Sequence, residues 1–379
     1  MKTPLVEQSL RVEPVETAPG EGFETLAALA PQPAKRRRGR TVLWAVALGA
    51  ALAASVIAAV TIGPAGLAPS DVVASVLAHL GIGEPTLSPL RDGIVWELRM
   101  PRVLTAAAVG AGLALCGAVM QALTRNPLAD PYLLGLSSGA SVGAVVVIVL
   151  GVGLLLPLAA FAGALAALIA TLALAGAAGR GSSRGPGGGL SPTRTVLAGL
   201  AVSSMFGAVT SLVIFWSATG DSYREILNWL LGSLAGTDWV SVAIAGGALV
   251  AIGIPLIASA RTLDAFAFGD AAASALGVHV GRSRVLLLGG TALLTGALVA
   301  VSGSIGFVGL ILPHGVRLLV GSRHRALLPL SALAGALFLV WADTAARTLF
   351  DPRELPVGII TALIGGPVFA VLLMRRRVS

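Results

Sequence analysis

The chain reads as a succession of long apolar runs separated by short polar stretches. Runs over 41–62, 101–122, 132–151, 157–178, 195–216, 239–260, 285–303, 305–320, 326–347 and 355–374 approach or exceed the roughly 20 residues that a helix needs to cross the hydrocarbon core of a bilayer. The pattern predicts an all-α, polytopic membrane protein with about ten transmembrane helices. Continuous runs of this kind are not the short alternating segments of an outer-membrane barrel. Pro157 divides one long apolar stretch, and Gly303 to Gly306 divides another, so both are predicted breaks between spans.

Composition agrees with that reading. Of 379 residues 56% are hydrophobic and only 12% charged, too few to solvate a globule of this length. Lys35, Arg36, Arg37, Arg38 and Arg40 precede the first run directly, and Arg375, Arg376 and Arg377 follow the last. An even number of spans then puts both termini in the cytoplasm, as the positive-inside rule asks. The same threading places Arg125, Arg180, Arg184, Arg194, Arg261, Arg282, Arg284, Arg323 and Arg325 inside and leaves Arg91, Arg99, Arg102, Arg224, Arg347 and Arg353 outside. Local pairing is one reason for these exceptions, because Asp343 stands four residues before Arg347 and Glu354 follows Arg353. Topology thus accounts for the net charge of +8, and no nucleic-acid-binding face is indicated. Residues 1–40, rich in glutamate and proline, read as a disordered cytoplasmic extension, and residues 41–379 as the transmembrane domain.

Several chemistries are excluded. Lys2 and Lys35 are the only lysines and neither ends a glycine-rich phosphate loop, so this chain holds no P-loop ATPase, and any ATP hydrolysis belongs to a partner. Cys116 is the sole cysteine, which rules out a disulfide within the chain and suits a small packing residue inside its span. His79 and His279 have no histidine or cysteine at ligand spacing, so no metal site is expected.

Gly110-Ala-Gly-Leu-Ala-Leu-Cys-Gly117 in span two resembles Gly296-Ala-Leu-Val-Ala-Val-Ser-Gly303 in span seven. Five spans separate them, and an odd separation reverses direction in the membrane, so spans 2–5 and 7–10 are expected to form an inverted repeat. After Leu98-Arg-Met-Pro-Arg102, Gly112, Gly117 and Gln121 comes Arg125-Asn-Pro-Leu-Ala-Asp-Pro131, whose prolines break the chain at membrane depth. Irregular backbone there must be satisfied by protein or by water in a cavity, so the break is expected to border a pathway. Gly135, Gly139 and Gly143 then recur every fourth residue, a smooth face for close helix packing.

With these stretches go Gly306-Phe-Val-Gly-Leu-Ile-Leu-Pro-His-Gly-Val-Arg317, His324-Arg-Ala-Leu-Leu-Pro329, Ala342-Asp343 with Ala346-Arg347, and Glu354-Leu-Pro-Val-Gly358 through Gly365-Gly-Pro-Val-Phe369. Together, in family order over 41–374, they resemble the membrane permease subunit of binding-protein-dependent ABC importers for iron-siderophores, haem and cobalamin. The resemblance implies a non-enzymatic subunit of the bacterial cell membrane that binds no cofactor itself, ATP and Mg being used by the partner ATPase. It implies a second permease subunit, two ATPase subunits, an extracytoplasmic substrate-binding protein and surrounding lipid as partners.

Residue by residue, the resemblance implies that Arg99, Arg102 and Arg347 dock acidic residues of the binding protein, as bidentate guanidinium–carboxylate geometry allows. Phe268-Gly-Asp-Ala-Ala-Ala-Ser-Ala-Leu-Gly277 is similar to the short coupling helices that seat in ATPase subunits, with Gly269, Asp270, Ala273, Leu276 and Gly277 as contacts. Asp270 is followed by Ala271 where the family usually has a second acid. From their own chemistry, the uncharged polar residues Gln121, Asn126, Ser137, Ser138, Ser203, Ser204 and Thr210 are the candidates for lining a wet pathway. Pro313, His314 and Arg317 are candidates for gating. An ion-coupled secondary transporter is the rival reading; it predicts paired carboxylates within the membrane, and the acid nearest a span, Asp343, lies at an outer end beside Arg347.

Overall fold

A computed structural model describes residues 34–82, 87–180, 191–217 and 219–375. The chain divides into two units, Met1–Arg40 and Thr41–Ser379. The expectation of disorder covers residues 1–40; residues 1–33 lie outside the described residues, and residues 34–40 depart from it as the first turns of the helix Ala34–Thr61. The second unit is entirely helical among the described residues, with no strand.

Among the described residues seven helices are long and apolar enough to cross a membrane: α1 (Gly39–Thr61), α3 (Pro89–Thr124), α5 (Leu156–Ala177), α6 (Pro192–Ser217), α8 (Trp239–Ala258), α11 (Val280–Ser302) and α13 (His324–Thr348). Three shorter apolar helices, α4 (Leu136–Val149), α12 (Val308–Val320) and α14 (Val357–Leu372), complete the expected ten in the expected order. Between them lie α2 (Pro69–His79), the amphipathic α7 (Gly220–Leu230), α9 (Ala260–Phe266) and α10 (Asp270–Ala275). In lipid this solution is forced, because a helix satisfies its backbone groups internally and irregular chain does not.

The centre of the bundle is α3, buried along most of its 36 residues. It begins at Pro89, well before the apolar run at 101, and Pro101 sits inside it. A proline there removes the N–H that would bond the carbonyl four residues back. The helix accommodates this with a widened π turn over Ile94–Arg99 just ahead of the proline, the usual way an inserted irregularity is absorbed. Small residues set what α3 touches. A Cβ on Gly110 would collide with the Gly335 carbonyl of α13, and one on Gly117 with the Gly309 carbonyl of α12. In the same way Gly139 of α4 meets Gly163 of α5, and Gly143 meets Ala159. The glycine face read from the sequence is therefore a contact seam, except that Gly135 serves a turn, with φ +81°.

The breaks predicted at Pro127 to Pro131 and at Gly303 to Gly306 are both present. After α3, Arg125 adopts a left-handed conformation (φ +50°), a short 3₁₀ turn runs over Pro131–Leu134, and α4 follows with 14 residues. After α11, Gly303 and Phe307 have positive φ and the 13-residue α12 follows. The two members of the expected repeat are thus each followed by an irregular segment and a half-length helix. Pro157 is the second residue of α5, where a missing N–H costs nothing.

Candidate functional site

A helix of 25 residues is about 37 Å long, so the two ends of α13 mark opposite ends of the bundle. Both ends carry charged clusters.

At the C-terminal end of α13, three arginines from two helices converge. Arg99, Arg102 and Arg347 share the wall of a cavity of about 390 Å³, together with Gly63, Thr237 and Glu354. Arg102 is held by Asp343, with Nε 3.1 and 2.9 Å from the two carboxylate oxygens and Nη2 3.0 Å from Oδ1. On its other side Arg102 Nη1 donates to Glu354 Oε2 at 2.7 Å. Arg99 Nη1 donates to the Val60 and Thr61 carbonyls at 2.7 and 3.2 Å, and Arg347 Nη2 donates to the Ala59 carbonyl. These are last-turn carbonyls of α1, which lack helical partners and sit at the negative end of the helix dipole, so guanidinium groups suit them doubly.

The local pairing expected between Asp343 and Arg347 is therefore corrected: Asp343 hydrogen-bonds Arg102, and Glu354 turns to Arg102 rather than to its neighbour Arg353. The close approach of α3 and α13 at Gly110 and Gly335 brings Arg102 and Asp343 within reach across 241 residues of sequence. Arg99 and Arg102 are buried, while Arg347 is half-buried and its Nε is enclosed without a hydrogen-bond partner.

The two breaks touch each other. The Tyr132 hydroxyl donates to the Ile305 carbonyl at 3.0 Å and accepts from the Ile305 N–H at 3.2 Å, and Ser137 Oγ lies 2.7 Å from Ser304 Oγ. This irregular backbone is satisfied by side chains of the opposite break, as the bilayer requires. Ser137 is thus a member of the junction, with Ser138 half-buried beside it. Tyr132 and Ser304 were not singled out from the sequence, although the flanking prolines and glycines marked where they lie.

The other pathway candidates are dispersed. Gln121 is buried; its Nε2 donates to the Gly309 and Leu310 carbonyls and its Oε1 accepts from Arg317 Nη2 at 3.0 Å. It joins α3 to α12 and so meets the proposed gating group Pro313, His314 and Arg317, of which Pro313 is buried inside α12 and His314 half-buried. Asn126 is exposed and forms a turn by accepting the Leu128 N–H. On α6, Ser204 and Thr210 hydroxyls return to carbonyls four residues back in their own helix, and Ser203 is half-buried beside Gly135.

At the N-terminal end of α13, His324 Nδ1 lies 2.7 Å from Asp264 Oδ1, which also accepts the His324 N–H at 2.9 Å. Next in the chain is α10, entered at Gly269 (φ +95°) and left by a turn through Gly277 (φ +84°). Asp270 accepts from Arg284 Nη1 and Nη2 at 3.0 and 2.7 Å, and the buried Arg284 guanidinium lies 5.3 Å from the Phe266 ring centre. Those hydrogen bonds hold the Asp270 carboxyl below the usual aspartate range. Arg125, capping α3, reaches Gly269 with its guanidinium. Ala273 is buried, whereas Phe268 and Leu276 are 78% and 69% exposed, so the outward surface of this segment is apolar.

The model of the FecCD transport family matches residues 51–375. The cobalamin import system permease BtuC of Halobacterium salinarum is 41% identical over 374 residues, covering 89% of this chain and 98% of that permease. The hemin transport system permease HmuU of Yersinia pestis is 42% identical over 284 residues, covering 75% and 84%. A solved structure described as an inward-facing conformation of a metal-chelate type ABC transporter superposes with a TM-score of 0.74 at 32% identity, covering 87% of this chain and 98% of that one.

Proposed function

The chain belongs to the FecCD transport family, and from that membership we propose that it is the permease subunit of an ABC importer, translocating an iron(III)-siderophore or similar large metal chelate, haem or cobalamin, into the cytoplasm. Two copies of the chain, or one copy and a close homologue, enclose the path, and access alternates as two partner ATPase subunits bind and hydrolyse ATP with Mg. Both termini and α10 face the cytoplasm; the arginine-walled cavity faces outside and receives carboxylates of a substrate-binding protein. The single observation that carries this reading is the placement of Arg99 and Arg102 with the sequence-distant Arg347 in one cavity at the end of the bundle opposite the short apolar-faced α10.

Each end suits a different partner. Guanidinium groups beside an open cavity recognise carboxylates with fixed geometry. The protruding Phe268 and Leu276 supply apolar anchors that gain by burial in a groove. Between the ends, the junction of Tyr132, Ser137, Ser304 and Ile305 is a place where broken helices move without exposing unpaired backbone to lipid. The relatives differ in the cargo their names give, cobalamin in one and hemin in another. The reading is tested by reconstituting the chain with its ATPase and binding protein and measuring ATP-dependent vesicle uptake of labelled ferric siderophore, haem and cobalamin. One of the three accumulates if the reading is right; uptake of none, in vesicles where ATP is being hydrolysed, contradicts the cargo class.

A further inference from the structure

Two carboxylates share the one Arg102 guanidinium, and they are unlike. Asp343 faces the Nε and Nη2 side with its side chain 2% exposed, on a helix locked to α3 at Gly335. Glu354 faces Nη1 with its side chain 48% exposed, in the short segment between α13 and α14. Counting formal charges in the cluster, Arg99, Arg102 and Arg347 against Asp343 and Glu354 leave one positive charge beside the cavity. Removing Glu354 from its place would leave two, together with a free Nη1 and the unpartnered Nε of Arg347.

We infer that Glu354 is a built-in stand-in for the binding protein's carboxylate: it occupies the outward side of Arg102 while the site is empty and is displaced when the partner docks. This rests on the docking reading given above. An ion pair with a half-exposed partner is weak and readily exchanged, whereas a buried pair such as Arg102–Asp343 is not, so only the Glu354 side of the guanidinium is available to a newcomer. The arrangement has a use in both states. In the empty permease it keeps the buried Arg102 from facing the cavity with its Nη1 unpaired. In the docked state it makes every partner carboxylate compete with a tethered rival, which keeps the association reversible and favours partners that present two or more acids at once over those presenting one.

The test is the affinity of the cognate binding protein for the complete transporter in lipid nanodiscs, comparing wild type with Glu354→Gln and Glu354→Ala. Loss of the internal rival is expected to tighten docking about two- to fivefold, and more at low salt than at high, because the cluster gains one positive charge. Two variants guard against a glutamine that simply keeps the hydrogen bond. Unchanged or weakened docking in both, with thermal stability retained, overturns the inference. Arg347→Glu in the same assay separates the two levels: if that change leaves docking intact, the docking reading itself falls, whereas if it abolishes docking while neither Glu354 variant tightens it, only the stand-in role is lost. If the variants unfold, Glu354 is a structural residue and the inference is likewise overturned.

Discussion

The two ends of α13 carry similar residues in different arrangements. At the Arg102 end three guanidiniums face two carboxylates and the last carbonyls of α1, so positive charge is in excess beside an open cavity. At the Asp264 end Asp264 hydrogen-bonds His324 and Asp270 pairs with Arg284, and the exposed apolar Phe268 and Leu276 stand among the exposed Arg125, Arg261, Arg282, Arg323 and Arg325. The difference is one of placement: at the first end the guanidiniums are gathered on the wall of a cavity, and at the second the arginines surround exposed apolar side chains. It also changes the meaning of Asp270: a lone acid in a proposed coupling helix is an internal fastener, tying α10 to α11, and the missing second acid at Ala271 removes no contact that Asp270 was free to make.

The sharpest way to break the comparison is Asp343→Asn, which leaves Arg102 buried with half its charge compensation gone. A loss of about 3–5 kcal/mol is expected, read as a large fall in detergent thermostability or in folded yield; a variant as stable as wild type would show that Glu354 alone suffices. Arg347→Glu comes next. It reverses one charge of the cavity wall, and binding-protein docking should weaken by at least tenfold, about 1.4 kcal/mol, with transport falling in parallel while the helical content stays native.

At the other end Leu276→Asp puts a charge on the apolar surface. The expected effect is an ATPase-subunit affinity lower by about 1–2 kcal/mol, measured by co-purification, without any change in binding-protein docking. The smallest effect belongs to Asp270→Asn, about 1 kcal/mol because the carboxylate is part-exposed. Its sign with pH is fixed by the lowered value in the folded state. The stabilisation is complete above the ordinary aspartate value of about 3.9 and disappears as pH falls through the lower folded one, so the wild-type advantage over the variant should vanish in acid and be constant near neutrality.

Much of this molecule is legible in its sequence. Ten apolar runs and the breaks at Pro127 to Pro131 and at Gly303 to Gly306 follow from local chemistry, the short helix between Gly269 and Gly277 follows from the family resemblance, and each is present. Long-range partners are not legible. Arg102, Asp343 and Glu354 meet across 241 and 252 residues, and for Asp343 the close glycine contact between α3 and α13 helps to bring this about. A helix rule pairing residues four apart favours Arg347 for Asp343, and tertiary packing overrides it. Gln121 shows the same limit: a polar residue in a span reads as a pathway candidate, while in the fold it clamps α12 through two carbonyls and Arg317. The early start of α3 is hidden by Pro101, which sequence reading takes as a boundary and the π turn absorbs.

The central claim is that this chain is a passive gate served by an ATP-driven motor at one end and a cargo carrier at the other. Proteoliposomes containing the chain with its ATPase and binding protein, given a labelled chelate, test it most directly when ATP and an imposed ion gradient are supplied separately. The account predicts accumulation against a concentration gradient with ATP alone and none with the ion gradient alone. Uphill uptake by the chain on its own, driven by protons or sodium, would contradict it.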